Sequence, residues 1–156
     1  MDDVTIARAV HVLAVIHWMG GVAFVTAIVL PVVAIVPATK RLALFEAVEQ
    51  RFARQVRVSV PLAGVSGLYM AERLDAWDRF LEPAGWWLGA MTALWLVFMA
   101  ILFVVEPFVV RDWFHTRALA DPDGAFRLVQ TLHWVLLAAG AATAAAGVLG
   151  AHGVLG

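Results

Sequence analysis

Cysteine is absent from this chain, which excludes disulfides, thiolate metal centres and thiol catalysis. Charge is scarce too: Asp, Glu, Lys and Arg make up 15% of 156 residues and nearly cancel, to a formal −1 at pH 7. A nucleic-acid partner needs a basic footprint to neutralise phosphates, so none is expected. There is no glycine-rich nucleotide loop, no catalytic triad and no stretch of soluble-domain composition, so ATP-driven and hydrolytic chemistry lack a basis. No small-residue cleavage site precedes a soluble domain, and the first apolar segment is expected to stay in the membrane rather than act as a removed signal.

What is abundant is apolar surface. Hydrophobic residues are 63% of the chain, and the mean hydropathy of +0.86 is far from that of a soluble domain. Four apolar stretches, at roughly 6–36, 54–72, 85–110 and 126–150, are each long enough for the ~20 residues that cross a hydrocarbon core. Spanning as helices satisfies every backbone group internally. The expectation is an all-α integral membrane protein, an antiparallel bundle of four transmembrane helices forming one domain over 1–156. Polar connections are expected from Pro37 to about Glu49, from Glu72 to Pro83 and from Arg111 to Gly124. Gly20, Gly21, Gly64, Gly67 and the small-residue run from Ala138 to Gly147 allow close helix approach. Pro31 and Pro61 should kink a helix or free a carbonyl. Trp18, Trp77, Trp86, Trp87, Trp113 and Trp134 suit interfacial belts, and Trp95 lies deeper.

Basic residues orient the bundle. Lys40, Arg41, Arg51, Arg54 and Arg57 flank the first connection, and Arg111, Arg117 and Arg127 the third, against Arg8, Arg73 and Arg79 on the other side. The positive-inside rule makes the first and third connections cytoplasmic. The expected location is a bacterial inner membrane with both termini periplasmic and the lipid bilayer as surroundings.

Ionisable groups at membrane depth are costly and mark function. Here they are His11 and His17 in helix one, His133 in helix four and Glu106 in helix three, with His152 just beyond the outer end of helix four. Neutral imidazole is the common protein ligand of haem iron and also suits copper. The plainer alternative for each histidine is an interhelical hydrogen bond. His11 and His17 are six residues apart, about 120° around the helix, so they do not face one site. His11 and His152 lie at comparable depth, whereas His17 and His133 are ~4 to ~12 Å apart in depth, and the larger value forbids a shared iron. Met70, Tyr69 and Met91 are further outer-end candidates, although methionine in an apolar helix is ordinarily packing. Arg51, Arg54 and Arg57 recur every three residues. They read as a snorkelling face paired with Glu106 and lipid headgroups, or as a cluster in which Arg54 and Arg57 bind haem propionates or an anionic substrate.

The segment Arg8-Ala9-Val10-His11 with Trp18 seven residues on, then Gly21, Phe24 and Pro31, resembles the opening helix of the HemJ family of membrane protoporphyrinogen oxidases. Phe45-Glu46-Ala47-Val48-Glu49-Gln50-Arg51-Phe52 followed by Pro61, Gly64 and Gly67 is similar to that family's approach to helix two. Gly85-Trp86-Trp87 and Phe126-Arg127-Leu128 echo its third and fourth helices. The likeness extends to CopD-like copper-resistance membrane proteins, which share the Trp-x-Gly-Gly style of helix one. The HemJ resemblance implies haem b held by His11. Met91 stands about where that family's helix-three lysine would fall, Thr131 and His133 replace acidic and proline positions, and His17 is additional.

The expected function is a membrane-embedded b-type haem-binding redox protein, carrying electrons or acting as a haem-dependent oxidoreductase. His11, His17, His133 and His152 are its candidate ligands for one or two haems, and a quinone or periplasmic redox protein its partner. Copper handling by the same histidines is the alternative, although the missing cysteines and the lack of a Met-rich run disfavour Cu(I). A structural subunit of a larger membrane complex is the third reading. The glycine-bearing faces would also accommodate a homodimer.

Overall fold

The computed structural model describes residues 2–154. Among these residues every regular element is helical. Helix α1 (Asp2–Phe24) passes through a π-helical turn, Val25–Val29, into α2 (Leu30–Ile35), forming a first rod. A second rod, α3 (Ala38–Arg73), returns alongside it. After two short 3-10 turns, α4 (Trp86–Ala100) runs through a long π-helical segment, Ile101–Val110, into α5 (Arg111–Ala120). The last rod is α6 (Pro122–Ala151).

Among the described residues three helical segments are long and apolar enough to cross a membrane: Asp3–Ile35, Pro83–Phe108 and Pro122–Ala151. Their outer faces carry exposed Leu13, Ile16, Val104 and Val135, the pattern of a protein solvated by hydrocarbon. Helix α3 is as long, at 36 residues, but its first half is heavily charged.

Local chemistry explains where the rods end. Val36 is extended before Pro37, because a following proline disfavours the helical conformation. Asp121 caps α6 by accepting from the Gly124 N–H, with Pro122 in the first turn, where no amide proton is needed. Helices α3 and α6 both close in Schellman turns. The N–H of Ala76 donates to Ala71 and that of Val154 to Leu149, each at 2.9 Å, with Asp75 (φ 50°) and Gly153 (φ 70°) in the left-handed region.

Two stretches expected as polar connections are helical instead, the start of α3 and all of α5. Their apolar residues fold them. Phe45, Phe114 and Phe126 meet with ring centroids 5.5–5.6 Å apart, joining α3, α5 and α6 in one aromatic cluster. Leu42, Val48 and Phe52 pack against this cluster from the same face of α3 as Phe45. That spacing is an amphipathic stripe, which a search for continuous apolar runs passes over.

The rods run antiparallel to their neighbours. Asp3 pairs with Arg73 at one end of the α1–α3 contact, and Gly21 lies against Phe52 further along it. Trp95 of α4 donates to the Val60 carbonyl at 2.9 Å. The α6 glycines Gly150, Gly147 and Gly140 face Trp87, Met91 and Met19 in turn. At Gly64 and Gly150 a Cβ would run into the indoles of Trp95 and Trp87, so these close approaches require glycine. Trp18 and Trp87, expected at the interface, are 5% and 6% exposed and belong to the interior. Trp77, Trp86, Trp113 and Trp134 remain exposed.

The π turn in the first rod follows from Pro31. The Leu30 N–H reaches back to the Val25 carbonyl. The next carbonyl, that of Thr26, would take the N–H of residue 31, and proline has none. The Gln130 side-chain amide donates to it at 2.8 Å, filling the vacancy from α6.

Candidate functional site

Among the described residues, two half-open cavities lie between the rods, with Trp18 bordering both. The smaller, about 130 Å³, lies among α1, α3, α4 and α6 on the side of Asp3 and Arg73 and is almost wholly apolar. The larger, about 820 Å³, opens among the charged half of α3, the π segment Ile101–Val110, α5 and α6. Both π-helical segments contribute to its wall through Val25, Ile101, Leu102 and Glu106. π-Helical insertions recur at functional sites because they redirect side chains within a helix.

His11 borders the small cavity. Its Nδ1 lies 2.8 Å from the Ala63 carbonyl and 3.3 Å from Ser66 Oγ. A carbonyl only accepts, so Nδ1 carries the proton and Nε2 is left as the free acceptor. Met91 and Met19 border the same space; Met70 does not. Tyr69 is outside it, donating to Asp3 at 3.0 Å.

His133 borders the large chamber. Its Nδ1 donates to the Val129 carbonyl one turn back at 2.9 Å, fixing the tautomer and again freeing Nε2. Arg54 and Arg57 are on the opposite wall. Arg57 forms a 2.6 Å ion pair with Glu106, as their positions in the sequence suggested. Among the described residues Arg54 binds the Gln50 carbonyl through Nε and makes no hydrogen bond through its two terminal nitrogens. His115 of α5, which faces Glu46 at 3.1 Å, is a further wall residue. It was no candidate from the sequence, because it lies in a stretch read as a connection.

The four sequence-derived histidines are therefore not gathered together. His17 is exposed on the outside of the first rod and makes no hydrogen bond among the described residues. Since Met19 faces Gly140 and Thr26 meets Gln130, His133 stands level with roughly residue 24 of the first rod, ~10 Å along the axis from His17. The two do not share one metal. His152 caps α6, donates to the Val148 carbonyl at 2.8 Å and borders neither cavity. Among the described residues no three of His, Asp and Glu converge as a metal-binding group.

Among the described residues two buried side-chain polar atoms lack a hydrogen-bond partner, Trp18 Nε1 and Ser59 Oγ. Ser59 borders neither cavity, whereas Trp18 separates them. No family model, curated protein or solved structure matches the chain.

Proposed function

We propose that this protein is a membrane-embedded b-type haem-binding redox protein, in which the large chamber would hold the macrocycle and His133 would bind its iron. The observation that carries this reading is the conjunction of a free imidazole nitrogen with arginine around a half-open space of about 820 Å³. That volume is within the ~300–1,000 Å³ of small-molecule and cofactor sites. His133 Nε2 is the ligand, oriented by its Nδ1 bond to Val129. Arg54 offers its terminal nitrogens to one propionate, and the Arg57–Glu106 pair fixes the adjacent charge. A haem bound there supplies one-electron chemistry at a potential tuned by ligand and burial.

His11, the ligand implied by the HemJ likeness, borders a space of about 130 Å³, which is too small for a macrocycle. The donor set also favours haem over a bare copper ion. A porphyrin brings four nitrogens of its own and needs a single histidine, whereas no cluster of three protein ligands of the His, Asp or Glu type is present among the described residues.

The same reading places four crossings in a bacterial inner membrane, α3 being the fourth, with the basic end cytoplasmic and both termini periplasmic. Helix α3 supplies an apolar stretch from Val58 to Ala71, and pairing with Glu106 compensates Arg57 at its edge. Outward-facing His17 suits a homodimer. A neutral imidazole both donates and accepts, so two copies satisfy each other across a two-fold axis. Gly20, with open space over it, allows the approach. The chain has no native cysteine, so oxidative cross-linking of Gly20→Cys in membranes is the test; purely monomeric product rejects the dimer.

The functional test is a dithionite-reduced-minus-oxidised visible spectrum of detergent-purified protein, with a pyridine haemochrome assay for stoichiometry. A b-type spectrum that His133→Ala abolishes or shifts, and His11→Ala leaves in place, is the expected result. Protein that stays haem-free after haem-replete expression would return the chain to copper handling or a structural role. A Soret band lost only with His11→Ala would move the haem to the other half.

A further inference from the structure

We propose that the half-open cavity beside His11 is a binding groove for one acyl chain of a phospholipid in the surrounding bilayer. The groove stands apart from the haem chamber and takes the chain whether or not the chamber is occupied. Position, wall chemistry and size converge on it.

Position decides what reaches the cavity. Apart from Phe80 at one edge, its wall comes from residues between 11 and 19 of α1, 63 and 71 of α3, 88 and 95 of α4, and 140 and 144 of α6. The α1, α4 and α6 parts of that wall lie inside the three segments long and apolar enough to cross a membrane. His11 is ~12 Å along α1 from Asp3, the residue that pairs with Arg73 at the end of the rods. Leu68 and Ala144 of the wall are exposed, as are Val65 and Val148 one turn away on the same two helices. At that depth the medium outside the rods is hydrocarbon. A half-open space there is covered by lipid chains.

Wall chemistry decides what stays. Thr92 and Thr143 spend their hydroxyls on the Leu88 and Ala139 carbonyls one turn back, at 2.9 and 2.6 Å. Trp95 donates to the Val60 carbonyl, and His11 commits Nδ1 to the Ala63 carbonyl. The Trp18 indole nitrogen is sealed, with essentially no accessible surface. What remains is almost wholly apolar. A ligand bringing oxygens or charge would have to strip them of water against such a wall, whereas a run of methylenes loses nothing. Size sets the length of that run. About 130 Å³ is slightly less than the ~150 Å³ of an engineered cavity that holds benzene, so the space admits a short stretch of chain and excludes a fused-ring lipid. Bilayer chains are as apolar as leucine, so the gain is not hydrophobic; it lies in dispersion contacts that the wall atoms facing the space do not make with one another. Met19 and Met91, unbranched and soft, let the wall follow the bends of a chain.

The test is photolabelling in detergent-free nanodiscs, where phospholipid is the only source of acyl chains, using a phosphatidylcholine with a diazirine in mid-chain. Adducts are mapped by mass spectrometry. Met19 and Met91 of the wall should carry label as heavily as Leu13 and Ile16, which are exposed on the outside of α1. Thr143→Leu adds bulk inside the cavity and should cut labelling of the two methionines about tenfold while leaving Leu13 and Ile16 as they were. Thr143→Ser keeps the space open and should keep the label. Circular dichroism and thermal melting establish that each variant is folded. Should Thr143→Leu fail to fold, Leu88→Phe fills the same space from α4 and makes the same comparison. Label confined to the outer face in the unaltered protein, or wall labelling unchanged in a folded, filled variant, would overturn the proposal. The haem spectrum reads only the chamber, so the two readings fail separately.

Discussion

The half of the molecule around His11 and the half around His133 are made from the same four rods, yet they close in different ways. Around His11, glycines meet large side chains: Gly64 faces Trp95, Gly150 faces Trp87 and Gly147 faces Met91. The rods approach closely there and leave about 130 Å³. Around His133, charged residues and parts of two π-helical segments line a space of about 820 Å³. Close packing by small-against-large contacts leaves only a small gap, whereas charged side chains line the larger space.

The contrast can be broken first on the tight side. Gly64→Val should destabilise the protein by about 2–3 kcal/mol, because the opposing Trp95 ring is held by its bond to Val60 and would have to give up that bond to make room. Gly140→Ala should cost far less, since the atom it meets is the flexible end of Met19. Equal losses in denaturant unfolding of the two variants in micelles would mean that the tight side is not rigid.

On the open side, Arg57→Ala should cost about 2 kcal/mol by leaving Glu106 without its cation in a half-buried site. The Arg57→Ala/Glu106→Gln double variant should regain part of the loss, a coupling that a double-mutant cycle reads directly. Additive losses would make the pair a surface contact. Between the halves, Gln130→Leu should cost about 1–2 kcal/mol by orphaning the Thr26 carbonyl, and thermal melting in detergent checks it. The smallest effect is a gain. Asp75 sits at φ 50°, where glycine is unstrained, so Asp75→Gly should stabilise the C-terminal end of α3 by about 0.5 kcal/mol. No change there would mean that the Asp75 side chain offsets its own strain.

Much of this architecture was legible as apolar runs, and the Arg57–Glu106 contact was legible as two charges at one expected depth. The start of α3 and all of α5 were not, because their apolar residues come singly at helical spacing among charges. His115 was missed with them. Trp18 was misplaced for a related reason: composition assigns tryptophan to the interface, and only the packing of α1 against α3 and α4 turns this one inward, 4.6 Å from the Phe98 ring centroid. The opposite holds for His17. Its place in an apolar run made it a candidate, but its side of the helix faces outward.

By itself the sequence determined that this chain is helical and suited to a membrane, because length and hydropathy of a segment are local properties that no neighbour alters. It also marked Pro31 and Pro61 as residues without an amide proton, but the helix is π-helical before the first and runs unbroken through the second, so which of them disturbs the ladder was decided by the packing around it. Which histidines share a cavity was decided only in the tertiary structure. That depends on the rotation and register of each rod against the others, and these are set by glycines and rings lying far apart in the chain, such as Gly64 against Trp95 and Gly140 against Met19.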